Sequence, residues 1–194
     1  ETDAVRLMDH LGIRQAFIVG YSMGGNITSL LLTHRPERFK AAALIAGPGR
    51  LHMTKEEEAE WEQEAAERER ECVSRTQILR LAPRDLPMPT EADIQARSKA
   101  CFAQPDNDPK ALAAYVRSRK YLLVDIPKLK ALKVPTLGIV GDQDSIMAGM
   151  KELKELKPDM PLLIVAGATH GGTRGIITRS ETAKELLGFL AAQR

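Results

Sequence analysis

Apolar and polar positions divide this chain into two textures. Short continuous apolar runs stand at residues 16–20 (AFIVG), 41–47 (AAALIAG), 135–141 (PTLGIVG) and 161–166 (PLLIVA). Runs of this kind, without alternation, mark strands buried on both faces, as in a parallel sheet. Helical spacing surrounds them. In residues 2–11, Val5 and Met8, with Leu7 and Leu11, recur at three- and four-residue steps, and Gly12 closes the helix. Residues 26–33 (NITSLLLT) predict a buried helix ending near His34-Arg35-Pro36, and residues 148–156 and 181–192 predict two more helices. From about 51 to 125 the texture is polar, helix-rich and broken by Pro83, Pro87, Pro89, Pro105 and Pro109. Strand–helix–strand, a helical excursion, then strand–helix–strand–helix is an α/β plan built on a parallel sheet. The expected organisation is a core over 1–50, a helical insertion over 51–125 and a second core portion over 126–194.

The insertion opens on a strong helix former, KEEEAEWEQEAAERERE at 55–71. Trp61, Ala65, Cys72, Thr76 and Leu79 would share one apolar side of it. Glu64–Arg68 and Glu71–Arg75 stand four apart in the favourable order. Nine Glu against one Lys and two Arg predict a solvated acidic face.

Composition narrows the classes. The 194 residues are 43% hydrophobic and 28% charged, long enough to bury a core without disulfides or metals. Net charge is +2 with no dense basic block, so there is no electrostatic case for a nucleic-acid partner. No apolar run approaches the length of a membrane span. No signal sequence is visible, and no compartment is set by the residues, with a slight lean to the cytoplasm. Cys72 and Cys101 fit no metal or redox spacing, and free thiols are expected in preference to a disulfide.

The sharpest chemical signal is Gly20-Tyr21-Ser22-Met23-Gly24, between a predicted strand and a predicted helix. That is the context a G-x-S-x-G nucleophile turn requires. Gly20 and Gly24 would keep neighbouring side chains from colliding at the turn. The helix that follows aims its N-terminus at the site, and the Met23 amide would be one oxyanion donor. A serine hydroxyl needs a base. His10 lies in a helix, His34 at a helix end, and His52 at the start of the insertion. His170 stands in a glycine-flanked loop, GATHGG, directly after the last strand. Loops beyond strand C-terminal ends carry the sites of open parallel sheets. Asp142 and Asp144 follow the third strand in the same way, and either can orient the histidine. The glycine turn is neither G-x-G-x-x-G nor a P-loop, which disfavours nucleotide binding.

These residues resemble the α/β-hydrolase superfamily, in its esterase-like branch with a helical cap. Gly-Tyr-Ser-Met-Gly-Gly at 20–25 resembles the nucleophile elbow. His34-Arg35-Pro36-Glu37-Arg38-Phe39 resembles the lead into the next strand. Val134-Pro135-Thr136-Leu137 with Gly141-x-x-Asp144 resembles the acid-bearing strand and loop, and Gly167-x-x-His170 the histidine loop. The resemblance implies a Ser22–Asp144–His170 triad, with Asp144 as the acid rather than Asp142. It implies an acyl-Ser22 route to hydrolysis of a small-molecule ester or related acyl bond, and no metal or organic cofactor. Tyr21 and Arg174 are further candidates to touch substrate, Arg174 through a carboxylate. The insertion resembles the family's cap only in position and helical character. The family carries earlier strands and a His-Gly loop that donates a second oxyanion N–H. The chain starts at Glu1 and therefore reads as the triad-bearing part of a longer enzyme. Residues 16–20 would then form an apolar sheet edge open to self-association or to a complementing strand. The alternative is a non-catalytic scaffold serving as a binding module.

Overall fold

The structure is a computed structural model and describes residues 2–193; Glu1, the first residue noted above, lies outside the described residues. The chain divides into two compact units, Glu1–Leu51 with Val124–Arg194, and His52–Leu123. The first unit opens with α1 (Thr2–His10), β1 (Ala16–Tyr21), α2 (Met23–His34) and β2 (Phe39–Ile45). The second holds α3 (Lys55–Glu71), α4 (Arg75–Arg80), α5 (Glu91–Phe102) and α6 (Pro109–Ser118). The chain then returns through α7 (Ile126–Ala131), β3 (Thr136–Gly141), α8 (Met147–Leu156), β4 (Leu162–Val165) and α9 (Ser180–Ala191).

The four strands form one parallel sheet in the order β1-β2-β3-β4. Strand side chains alternate between faces, so the continuous apolar runs feed two cores. Ala43, Ile45, Leu137, Ile139 and Val165 pack with Leu186 and Phe189 of α9. Leu44 and Val140 meet Leu129 of α7 with Met150 and Leu153 of α8. Ala42 packs with Leu31 and Leu32 of α2 and with Val5 and Met8 of α1. Leu31 and Leu32 are almost fully buried, and each such side chain contributes about 1.5–3 kcal/mol of transfer free energy. β1 lies at one edge, and its Val19 is 44% exposed. β2 starts and ends two residues before the expected run, because Ala46 turns to φ 48° and breaks the extended backbone.

In the second unit, Thr54 and Glu57 form a capping box that starts α3. Trp61 and Ala65 pack against Ala113 and Val116 of α6. Two expectations for this region fail. The shared apolar side from Trp61 to Leu79 is not one helix: α3 ends where Cys72 takes the left-handed conformation, φ 62°, and α4 begins three residues on. Nor is the acidic face all solvated, because Glu64 is fully buried and Glu67 nearly so. Glu64 binds Arg80 at 2.8 Å and Arg119 at 2.7 Å. Glu67 accepts bonds from the Ser74 and Thr76 hydroxyls and the Thr76 amide. Burial pushes the Glu67 carboxyl up, but these bonds, led by the Thr76 amide, outweigh it and hold the group below its ordinary value. The exposed Glu62 and Glu69 share Arg117, and Arg75 pairs with Glu91.

The cysteines are also corrected. Cys72 and Cys101 form a disulfide that ties the end of α3 to α5. The Ser98 hydroxyl of α5 donates to the Glu71 carbonyl beside it. That approach holds the two Cα atoms 5.9 Å apart, within the span a disulfide needs. Residue spacing along the chain carries no trace of it.

Candidate active site

Strand register aligns the ends that matter. Tyr21 pairs with Ile45, Ile45 with Ile139, and Gly141 with Val165. The segments after β1, β3 and β4 therefore leave the same edge of the sheet.

Ser22 stands between β1 and α2 with φ 53° and ψ −111°, a conformation costing a non-glycine residue about 1–3 kcal/mol. Its amide donates to the Ile45 carbonyl, and its carbonyl accepts from Asn26. The surroundings permit this turn through absent side chains. A Cβ on Gly20 would stand 2.2 Å from the Gly24 carbonyl oxygen, and one on Gly25 would stand 2.7 Å from that of Gly47. A Cβ on Gly47 would stand 2.3 Å from the Ser22 carbonyl oxygen. The steric expectation for Gly20 holds, but that for Gly24 is corrected. A Cβ on Gly24 would meet nothing within 4 Å, and the demand falls on Gly25 and Gly47. The Gly24-Gly25 doublet was a usable signal for Gly25, whereas Gly47 is revealed only by the approach of the segment after β2 to Ser22 and α2. Ser22 makes no side-chain cap, so its hydroxyl is not spent on the helix. Met23 is the first residue of α2, where amides have no partner within the helix.

The loops after β3 and β4 are laced together. The Asp142 amide donates to the Val165 carbonyl, and the Gln143 amide to that of Ala168. The Asp142 carboxylate accepts from the Gly167 amide at 2.8 Å. Gly141 allows this approach, since a Cβ there would stand 2.1 Å from the Ala168 carbonyl oxygen. Asp144, 1% exposed, accepts from the Ile146 amide through Oδ1 and meets His170 Nδ1 at 2.9 Å through Oδ2. The other ring nitrogen of His170, Nε2, is 2.9 Å from Ser22 Oγ. The structure thus joins Ser22, His170 and Asp144 in one chain of hydrogen bonds. It gives the two carboxylates different tasks: Asp144 faces the imidazole and Asp142 holds the loop.

The remaining candidates separate. His10, His34 and His52 are exposed. The Tyr21 hydroxyl donates to the His170 carbonyl, and the two rings lie 5.5 Å apart between centroids. Burial, and then the Asp144 carboxylate, push the Tyr21 phenol up, so it stays protonated. Arg174 is half-buried, and its carbonyl accepts from the Thr169 amide. Among the described residues no group of His, Cys, Asp or Glu is placed to hold a metal ion, and no helix is long and apolar enough to cross a membrane.

Residues 1–171 match the alpha/beta hydrolase fold family. The chain belongs to that family. No curated protein sequence matches it. Among solved structures, a carboxylesterase from Nitrososphaera gargenis superposes with a TM-score of 0.72 at 24% identity, over 99% of this chain and 70% of that one. A putative non-heme bromoperoxidase from Mycobacterium tuberculosis gives 0.71 at 21% identity, over 100% and 73%. A thermophilic esterase from Thermogutta terrifontis gives 0.70 at 18% identity, over 96% and 69%. At these identities the likeness is one of fold. In this alpha/beta hydrolase the strained serine, the buried carboxylate and the histidine come from three separate loops of the parallel sheet.

Proposed function

We propose that the protein is a serine hydrolase acting on a carboxylic ester through an acyl-Ser22 intermediate. One observation carries this reading: the continuous bond chain from Ser22 Oγ through His170 to a buried Asp144. Ser22 Oγ attacks the ester carbonyl while His170 Nε2 takes its proton. Asp144 holds Nδ1 protonated, keeps Nε2 as the base, and stabilises the imidazolium that forms. The carbonyl π pair moves onto oxygen, facing the Met23 amide at the start of α2, and a donor there is worth about 3–4 kcal/mol in the transition state. The tetrahedral species collapses. The C–O bond to the alcohol breaks, and His170 returns the proton to the departing oxygen. Water, deprotonated by His170, then attacks acyl-Ser22 and releases the acid, and the proton returns to Ser22. No step uses a metal or organic cofactor.

The carboxylesterase and esterase among the structural neighbours support an ester as the substrate class. The test is labelling of the complete gene product with an organophosphonate, beside turnover of a panel of acyl esters. One label on Ser22, lost together with turnover in Ser22→Ala, is expected. Turnover that survives Ser22→Ala would overturn the mechanism, and an unlabelled, inactive wild-type protein would leave the scaffold reading in its place.

A further inference from the structure

We propose that Tyr21 is a positioning residue for the general base: its hydroxyl fixes the His170 backbone, and so sets the imidazole between Ser22 and Asp144. The inference rests on the proposed function for its kinetic consequence and on geometry for its substance. Tyr21 is the last residue of β1, immediately before Ser22. Its hydroxyl donates to the carbonyl of His170, a residue delivered by the loop after β4 at the far edge of the sheet. Its ring makes a tilted contact with the imidazole, with centroids 5.5 Å apart and an interplanar angle of 31°. The strand end that presents the nucleophile therefore also grips the base.

The loop needs such a grip. It is tied on the Gly167 side by Asp142 and stitched to itself by Thr169, whose hydroxyl donates to Gly171 and whose amide donates to Arg174. Those bonds locate the loop's flanks. The Tyr21 bond falls on His170 itself. Because the phenol proton is committed to that carbonyl, Tyr21 serves the base rather than recognising substrate. Small misplacements of a catalytic group are expensive, reaching ~100-fold in rate for about 1 Å.

Tyr21→Phe tests this, since it keeps the ring and deletes the donor. We expect kcat on a reactive aryl ester to fall about tenfold, KM to stay within about twofold, and phosphonate labelling of Ser22 to slow in step with kcat. In proton NMR the downfield Nδ1–H resonance of the His170–Asp144 bond should shift or broaden. A rise in KM at unchanged kcat would return Tyr21 to substrate binding and overturn the proposal. So would unchanged kinetics together with an unchanged resonance. If the wild-type protein neither turns over esters nor labels at Ser22, it is the proposed function that fails. The NMR comparison still decides whether Tyr21 positions His170. Should Tyr21→Phe not fold, Tyr21→3-fluorotyrosine supplies a stronger donor of nearly the same shape. The resonance should then move, and no movement overturns the proposal.

Discussion

Cys101→Ser removes the disulfide while leaving the buried, left-handed Cys72 position in place. The bridge spans 29 residues of sequence, from the end of α3 into α5. In the chain-entropy treatment a closed loop of that length removes ~12 cal/mol/K from the unfolded ensemble, ~3.6 kcal/mol at 25 °C. A unit of roughly seventy residues has a total stability of about 4–10 kcal/mol, so the loss is a large fraction. With a urea dependence of about 1–2 kcal/mol/M, the midpoint should fall by about 2–3.5 M. The assay is built in. Trp61 is the sole tryptophan, it is 4% exposed, and it packs on Ala65, Ala113 and Val116 within the same unit. Its fluorescence reports this unit. Wild type in reductant should track Cys101→Ser in oxidising buffer, and thiol titration of native wild type should find no free cysteine. Equal midpoints for oxidised and reduced wild type, or two titratable thiols in the native protein, would refute the argument.

Other outcomes follow from the site and its supports. Asp144→Asn should lower kcat/KM about 10⁴-fold by admitting the wrong histidine tautomer. Asp142→Asn, which keeps an oxygen for the Gly167 amide, should cost far less, and the reverse ranking in ester kinetics would exchange the two assignments. Gly25→Ala should destabilise by about 1–3 kcal/mol, because its Cβ meets the Gly47 backbone, whereas Gly24→Ala should leave the thermal midpoint within about 2 °C. Glu67 titrates lower folded than unfolded, so its contribution is present above the unfolded value and is lost as pH falls through the folded one. Glu67→Gln should flatten that acid limb of the stability curve, and a limb unchanged in urea titrations across pH would remove Glu67 from the account.

Much of the sheet was legible because its signals are local. Each of the four short apolar runs turned up as a parallel strand, but burial on both faces holds for the inner β2 and β3 and not for the edge strands, where Val19 of β1 and Ile164 of β4 are exposed. Their boundaries were less legible: β2 stops at Ile45 because Ala46 changes hand, which apolarity does not encode. Ser22, His170 and the pair Asp142 and Asp144 were readable as candidates in loops after strands, and only the family resemblance favoured Asp144 over Asp142. Parallel strands send such loops to one edge, so three local observations imply one shared place. Their joining by two 2.9 Å contacts required the β3 and β4 loops to lace together, through Asp142, Gln143 and the space left by Gly141.

The tertiary structure decided everything that depends on two distant segments arriving at the same point. Gly24 and Gly25 look alike along the chain, and only the backbone of Gly47, brought in by β2, tells them apart. The Glu-rich helix reads as solvated until Arg80 and Arg119 reach Glu64 and the start of α4, with Ser74 and Thr76, reaches Glu67. Cys72 and Cys101 read as unrelated until the left-handed turn after α3 sets one beside the other. Local order comes from backbone sterics and hydrophobic periodicity, which a few neighbouring residues specify. Partnership between separated side chains comes from packing, and no short stretch of sequence states which surfaces will meet.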